Sequence, residues 1–454
     1  MGVKNYIRLT LSRFSQKGRW SKAVVQLISA PLLWVLLLSG IVRAVYYSVL
    51  QNTIAVDTAS YLNYSANILK GETEGRRTPL YPYFIKLVGL LGHQNLIDHV
   101  VSAQILLSFL SIVVFYKISR SVFKNQRVVF AASLLYGLML PVINFDKVVI
   151  TESLSVGFSL VFIYLMVCYL QKPTHVKAWI ATLFVFIAIM LRPSFIYLLP
   201  LLIVFWCLRL IICKQERKFS LSGLAALVVV VLLLSGYSAL NKRHAGFNGI
   251  SLVGNNNEMA VIVSAGIYHS GSDPEISAAL QYNINLEKKY PDRHIPGINI
   301  MARFNPDRVH QFIVNCIKNQ PGAYLQHIGG KLLALHNANI FTNYADHELS
   351  PLAFRIEKIE YLVFNIPFMV LYVVIVVDLM MFIASWIKRR NAPWLRIFLW
   401  LIITGQLAVA MMAGYSEYQR LILAAIPVLM IVLFNYVDKA VLRLTELSEL
   451  KLMR

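Results

Sequence analysis

The chain has 454 residues, of which 57% are hydrophobic and only 14% charged, against about 25% charged in soluble globular proteins. Its 43 Lys and Arg outnumber 22 Asp and Glu, giving a net charge of +21. This composition excludes a soluble enzyme and a disordered chain, and a basic nucleic-acid binder does not carry apolar runs of about 20 residues.

Ten candidate membrane spans follow in chain order: 25–47, 97–116, 128–146, 149–170, 178–191, 194–213, 221–240, 360–386, 394–413 and 420–437. Most approach the ~20 residues that cross a hydrocarbon core, and 178–191 is short. The runs are continuous rather than alternating, which speaks against a β-barrel. The expected fold is an all-α polytopic membrane protein of about ten transmembrane helices. It divides into an N-terminal transmembrane module (1–240) with a first outer loop at 48–96, a mostly helical extracytoplasmic segment (241–359), C-terminal helices (360–437) and a tail (438–454).

Charge orients these spans. The stretch through Lys22, the gaps at 117–127, 172–177, 209–218 and 388–396, and the tail together hold 24 basic and 4 acidic residues, or +20 of the total +21. The positive-inside rule makes these segments and both termini cytoplasmic. The opposite side carries the outer loop and the segment 241–359, whose 11 basic and 9 acidic residues nearly cancel. The first span is too long for a signal-peptide core and lacks a small-residue cleavage site, so it reads as an uncleaved anchor. Three of the four cysteines, Cys168, Cys207 and Cys213, fall in or beside spans, so no disulfide framework is expected. No repeat, Walker motif or dinucleotide motif occurs, which disfavours an ATP-driven pump.

Against the near-neutral outer side, a few charges stand out. Asp57 follows the first span, and residues 57–69 are predicted as a short amphipathic helix with Leu62, Ala66 and Leu69 along one side and Gly71 as its stop. Asp57 and Tyr61 are four apart and share a face. Arg77, Thr78, Pro79, Leu80, Tyr81 and Pro82 follow, leading into an apolar stretch from Phe84 suited to the interface. A carboxylate here could act as a general base and a neighbouring arginine could bind phosphate; the same residues also fit a helix-capping aspartate and interfacial anchors. Further along, Asp146 and Lys147 fit a solvated pair, whereas Glu152 lies near the outer end of a span, where acids usually face a cavity or a partner. Arg192, before Pro193, is an outward arginine that a phosphate or lipid headgroups would explain. Glu417, Tyr418 and Arg420 end the series, with Glu417 and Arg420 placed for a local ion pair.

In the segment 241–359, Lys242-Arg243-His244, Asn255 to Glu258, His336 to Asn339 and Asp346-His347-Glu348 are polar clusters. The last could hold a divalent metal, although adjacent residues cannot all converge on one ion and a solvated loop fits better. Residues 305–336 are predicted as two helices divided at Pro321-Gly322, with Asp307 near the start and Phe312, Ile313, Cys316, Ile317, then Tyr324, Leu325, Ile328, Leu332 and Leu333 at helical spacing. Few charges fall mid-span, which favours chemistry at the outer face over translocation.

An acid soon after the first span, Arg77-Thr-Pro-Leu-Tyr-Pro82, Thr151-Glu152-Ser153, Arg192-Pro193-Ser194, the paired helices around Pro321 and Glu417-Tyr-Gln-Arg420 together resemble the GT-C superfamily of membrane glycosyltransferases. The pattern is similar to bacterial members related to protein O-mannosyltransferases and aminoarabinose lipid A transferases. The resemblance runs over about 25–437 and implies an inverting transferase at the outer face of a bacterial plasma membrane. It implies a polyprenyl-phosphate sugar as donor, a hydroxyl or phosphate of a lipid, glycan or protein as acceptor, membrane lipids as surroundings and no nucleic acid. Asp57 matches the general base and Glu152 the second acidic position. Arg77, Arg192 and Arg420, with Lys147, are expected to hold the donor phosphate, and Tyr61, Tyr81, Arg243, Glu417 and Tyr418 to line the substrate. No cofactor is required; a divalent metal is compatible. Mannosyltransferases carry an acidic pair where this chain has Asp57 alone. Two other functions fit the layout: a polysaccharide polymerase or ligase using lipid-pyrophosphate glycans, and a sugar-lipid transporter.

Overall fold

The structure is a computed structural model that describes residues 30–49, 52, 54–55, 57–71, 73–90, 92, 94–289, 303–333, 377–378, 380, 394–413 and 418–452. Its elements are helical. In order they are α1 (Pro31–Val49), α2 (Thr58–Asn67), α3 (Leu80–Gly89), α4 (Leu96–Val122), α5 (Gln126–Gly137), α6 (Leu140–Asp146), α7 (Glu152–Gln171), α8 (His175–Leu191), α9 (Leu198–Ile212) and α10 (Arg217–Ala245), followed by α11 (Leu252–Ser264), α12 (Pro274–Lys289), α13 (Pro306–Asn319), α14 (Pro321–Leu333), α15 (Trp394–Ala413), α16 (Tyr418–Ile422) and α17 (Ile426–Leu452).

The chain is an all-α polytopic membrane protein. Among the described residues seven helices are long and apolar enough to cross a membrane: α1, α4, α7, α9 with the turn before it, α10, α15 and α17. The expected span 128–146 is instead a broken pair, α5 and α6, bent by 40°. Pro141, at the start of α6, explains the break, because its ring opposes the carbonyl four residues back, that of Gly137. That freed carbonyl accepts a hydrogen bond from Arg43 Nε at 3.1 Å. The short span 178–191 is the 17-residue apolar α8, and the expected span 360–386 lies almost wholly outside the described residues.

α4 and α7 form the centre of the bundle. α8 packs between α7 and α10, α9 leans on α10, and α1 and α17 flank α5. One apolar core runs through them. Gly223 of α10 lets Trp206 of α9 approach closely, since a Cβ at position 223 would collide with the indole. The four cysteines are free thiols.

Outside the bundle, α11, α12, α13 and α14 share a second core built on Met259, Ile262, Ile276, Val309, Phe312 and Cys316. Asn305 caps α13 by accepting from the amides of Asp307 and Arg308, and Pro321 opens α14, as the sequence predicts. Ile328 and Leu332 pack on α15 and α16, whereas Leu325 and Leu333 are exposed, so α14 buries only part of its apolar stripe. Asn255 donates to Pro306 O, fixing α11 on α13. The clusters at 336–339 and 346–348 lie outside the described residues.

Candidate active site

Three local devices bring the outer loop to the end of the bundle. Gly71 ends the turn after α2 with φ +74°, a left-handed value that glycine adopts without strain. Gly75, at φ +71°, then lets the loop touch the end of α10, where a Cβ would meet Ala245. The Gly75 carbonyl accepts from Leu252 N at 2.9 Å, and the Arg76 carbonyl from Ser251 Oγ at 2.6 Å. Thr78 Oγ1 donates to Leu191 O, tying the loop to the end of α8. Pro193 forces Arg192 into an extended conformation (φ −147°, ψ 118°), as expected before proline, and α8 stops there.

The result is one continuous ion-pair network. Arg77 Nη2 lies 2.5 Å from Asp57 Oδ1, and Arg420 Nη2 lies 3.2 Å from Asp57 Oδ2. Arg420 Nε lies 2.7 Å from Glu152 Oε1, and Arg192 Nη2 lies 2.8 Å from the same oxygen. Asp57, Arg77, Glu152, Arg192 and Arg420, taken from four separate parts of the chain, therefore meet at one place. Glu152 is the first residue of α7, where the helix dipole favours a carboxylate. Burial is graded along the chain of pairs: Glu152 is 2% exposed and the Asp57 side chain 27%, so Asp57 and Arg420 form the accessible edge.

Asp57 does not cap α2, since its side chain makes no capping hydrogen bond. Burial alone would raise its carboxyl, but the guanidiniums of Arg77 and Arg420 outweigh it and hold Asp57 below the ordinary carboxylate range. Arg77 is buried rather than anchoring at the lipid interface. It donates to Ser60 Oγ at 2.8 Å and to Tyr61 OH at 3.3 Å, and its Cζ lies 4.6 Å from the Tyr61 ring centroid. Tyr61 thus belongs to the site, as a platform for Arg77.

Other expectations are corrected. Tyr81 is fully buried; its hydroxyl donates to Gln104 Oε1 at 2.5 Å and its ring meets Tyr61 edge-on at 4.9 Å. It supports the platform rather than facing the open edge. The buried face of α2 is Thr58, Tyr61, Tyr64 and Ser65, while Ala66 and Leu69 of the expected apolar side are exposed. Lys147 stands apart from the network, 5.9 Å from the Tyr47 ring centroid, and burial lowers its ammonium against the pull of Asp98. Arg243 is exposed on the last turn of α10, beside His244, whose Nδ1 accepts from Thr73 N. Glu417, with its expected pairing to Arg420, lies outside the described residues, and Tyr418 is the first residue of α16.

Asp146 is not a solvated partner of Lys147. It is fully buried and pairs with Arg43 of α1 at 3.1 Å. Tyr47 donates to the same carboxylate at 2.6 Å and Ser153 at 2.5 Å, while Arg43 also donates to Ser108 at 2.8 Å. Gln104 holds the carbonyls of Asp146 and Val148, and Thr58 Oγ1 that of Val149. The turn between α6 and α7, which delivers Glu152, is therefore fastened to α1, α2 and α4 at once. Arg43 was the residue missed in sequence. An arginine within an apolar span is costly enough to demand a buried partner, and Asp146 was available. A further buried acid, Asp378, pairs with Arg396 and accepts from Trp400 Nε1. The bundle interior thus holds more charge than expected.

Residues 76–235 match the family model of dolichyl-phosphate-mannose-protein mannosyltransferases. That part of the chain, from the loop before α3 into α10, is similar to this family of glycosyltransferases. The matched region contains Arg77, Glu152 and Arg192, and Asp57 and Arg420 lie outside it on either side. No curated protein matches the chain in sequence. Among solved structures, the chain is similar to the Archaeoglobus fulgidus oligosaccharyltransferase complex with Zn and sulfate, at 12% identity and a TM-score of 0.49, covering 89% of this chain and 48% of that one. It is also similar to oligosaccharyltransferase AglB of the same organism in complex with an inhibitory peptide and a dolichol-phosphate, at 12% identity and a TM-score of 0.48, covering 88% and 49%. The chain spans about half the length of those structures.

Proposed function

We propose that the protein transfers a sugar from a polyprenyl-phosphate donor to an acceptor hydroxyl with inversion at the sugar carbon. The observation that carries this is the bridge Asp57–Arg420–Glu152, in which the most accessible carboxylate of the network shares the Arg420 guanidinium with a deeply buried one. The family description, a lipid-phosphate-sugar transferase, supports the donor class.

The resting network suggests how the site works. A carboxylate held by two guanidiniums is a weak base. A lipid phosphate entering the open edge competes with Asp57 for Arg420 and Arg77, because guanidinium groups bind phosphate bidentately. Glu152 retains Arg192 and keeps the arginines in place. Asp57, released from its partners, regains basicity as the donor binds. It then accepts the acceptor hydroxyl proton, the acceptor oxygen bonds to the sugar carbon from the face opposite the phosphate, and the carbon–oxygen bond to phosphate breaks. The polyprenyl phosphate leaves with that electron pair, and its charge is met by arginines rather than by an acid catalyst. The acceptor is a lipid, glycan or protein hydroxyl, no cofactor is required although a divalent metal is compatible, and the site faces the outside of a bacterial plasma membrane with both termini cytoplasmic.

The test uses the full-length protein in detergent micelles with two probes: polyprenyl phosphate for binding and polyprenyl-phosphate sugars for transfer. Asp57→Asn is expected to retain lipid-phosphate binding and lose transfer, whereas Arg420→Gln weakens binding. Transfer retained by Asp57→Asn would refute Asp57 as base. Turnover with a lipid-pyrophosphate oligosaccharide but with no monophosphate donor would refute the donor class.

A further inference from the structure

The other end of the bundle holds a buried arginine that the transfer chemistry does not use. α7 runs 20 residues from Glu152 to Gln171, about 30 Å at 1.5 Å per residue, so Gln171 lies near the membrane face opposite the ion-pair network. A cavity of about 340 Å³ opens there, lined by Ser121, Gln171, Arg209, Glu216 and Trp394 together with apolar residues of α7 and α15. That volume lies within the range of small-ligand sites, about 300–1,000 Å³.

Arg209 is 2% exposed. Its Cζ lies 4.9 Å from the Trp394 ring centroid, 5.3 Å from that of Tyr169 and 5.9 Å from that of Phe205, which fixes the guanidinium in an aromatic frame. Its Nη2 meets the Glu216 carboxylate, yet among the described residues its Nε has no hydrogen-bond partner. A buried donor left unmade is costly and calls for an acceptor. Glu216 supplies only one contact, and it sits on the short turn Lys214–Glu216 with its side chain a third exposed (34%). Lys214, Arg217 and Lys218 are exposed around it, and among the described residues none of the three meets a carboxylate. Beside the turn, Ile211 and Ile212 of α9 are exposed, as lipid-facing residues are.

We propose that this cavity binds the phosphate of an anionic phospholipid headgroup in the adjoining leaflet, with the guanidinium of Arg209 as its principal ligand. A phosphate engages Nε and Nη together, which the single Glu216 contact does not. Glu216 is the resident anion that the headgroup displaces, Lys214, Arg217 and Lys218 draw the headgroup in, and the acyl chains lie along the Ile211 and Ile212 face. The site is independent of the transferase reaction, and its test involves no sugar donor.

The test is thermal unfolding and native mass spectrometry of the full-length protein in uncharged detergent, titrated with phosphatidylglycerol, phosphatidylcholine or glycerol 3-phosphate. Phosphatidylglycerol is expected to raise the melting temperature saturably and to remain bound in the mass spectrum, with little effect from phosphatidylcholine. Glu216→Gln keeps the aromatic frame and removes the competitor, so half-saturation falls about two- to fivefold, the weight of a partly exposed ion pair. Arg209→Lys loses the bidentate contact and the response. Equal half-saturation in wild type and Glu216→Gln, or a full response in Arg209→Lys, overturns the proposal. A response to glycerol 3-phosphate as large as that to phosphatidylglycerol overturns the lipid as the source of the phosphate.

Discussion

Arg43 and Asp146 offer a sharp test of how the site is held, because the two ends of this pair differ in what they leave behind. Asp146→Asn removes the carboxylate that accepts from Arg43, Tyr47 and Ser153. It strands a guanidinium that is 2% exposed and stays charged at any relevant pH. Breaking a buried pair in this way costs about 3–5 kcal/mol. Arg43→Met strands Asp146 instead, but a carboxyl can take up a proton and shed its charge. Tyr47 and Ser153 still reach it, and the remaining loss is chiefly the bonds to Ser108 and to the Gly137 carbonyl. That cost is about 1–3 kcal/mol. The double variant Arg43→Met with Asp146→Leu leaves neither charge and recovers most of the loss, as hydrophobic replacement of buried pairs does. Urea unfolding of the four proteins in detergent measures the cycle. Asp146→Asn within about 0.5 kcal/mol of wild type, or Arg43→Met costing more than Asp146→Asn, would refute the reasoning, since neither is compatible with a desolvated pair.

Glu152→Gln strands parts of both Arg192 and Arg420 and is expected to cost about 3 kcal/mol, whereas Asp57→Asn, at the accessible edge, costs about 1 kcal/mol or less; denaturant unfolding of both variants checks the order. The Asp57 carboxyl lies below the ordinary carboxylate range in the folded protein, so its contribution to stability is complete above the unfolded value of about 3.9 and is lost as pH falls through the lower folded value. Melting temperatures measured downward from pH 5 should therefore fall more steeply for wild type than for Asp57→Asn, and parallel curves would count against the network. Gly223→Ala pushes a methyl into Trp206 where α9 and α10 touch, and the overpacking is expected to cost about 1–3 kcal/mol, read as a lower unfolding midpoint with the ion-pair network intact.

Spans and candidate charges were legible in the sequence because the bilayer imposes one-dimensional rules. An apolar run either reaches the needed length or it does not, and the basic excess accounts for itself once sorted by loop. Asp57, Arg77, Glu152, Arg192 and Arg420 remained as unexplained outer charges, and they are the five that meet. What a linear pattern does not carry is partnership. Asp146 and Lys147 are adjacent and opposite in charge, which suggests a local pair. Yet α6 turns Asp146 inward onto Arg43, 103 residues away, and leaves Lys147 outside. Arg420 shows the same reach: Asp57, 363 residues distant in sequence, is one of its partners in space. The apolar stripe of α2 misled for a related reason. In water, Leu62, Ala66 and Leu69 would mark the buried face; Leu62 does pack on the core, but beside a membrane Ala66 and Leu69 are free to face outward, and the polar hydroxyls of Thr58, Tyr61 and Tyr64 turn inward. The inward face of a membrane protein is thus marked by residues that need partners, which is why a lone arginine such as Arg43 within an apolar helix was the most informative signal left unread.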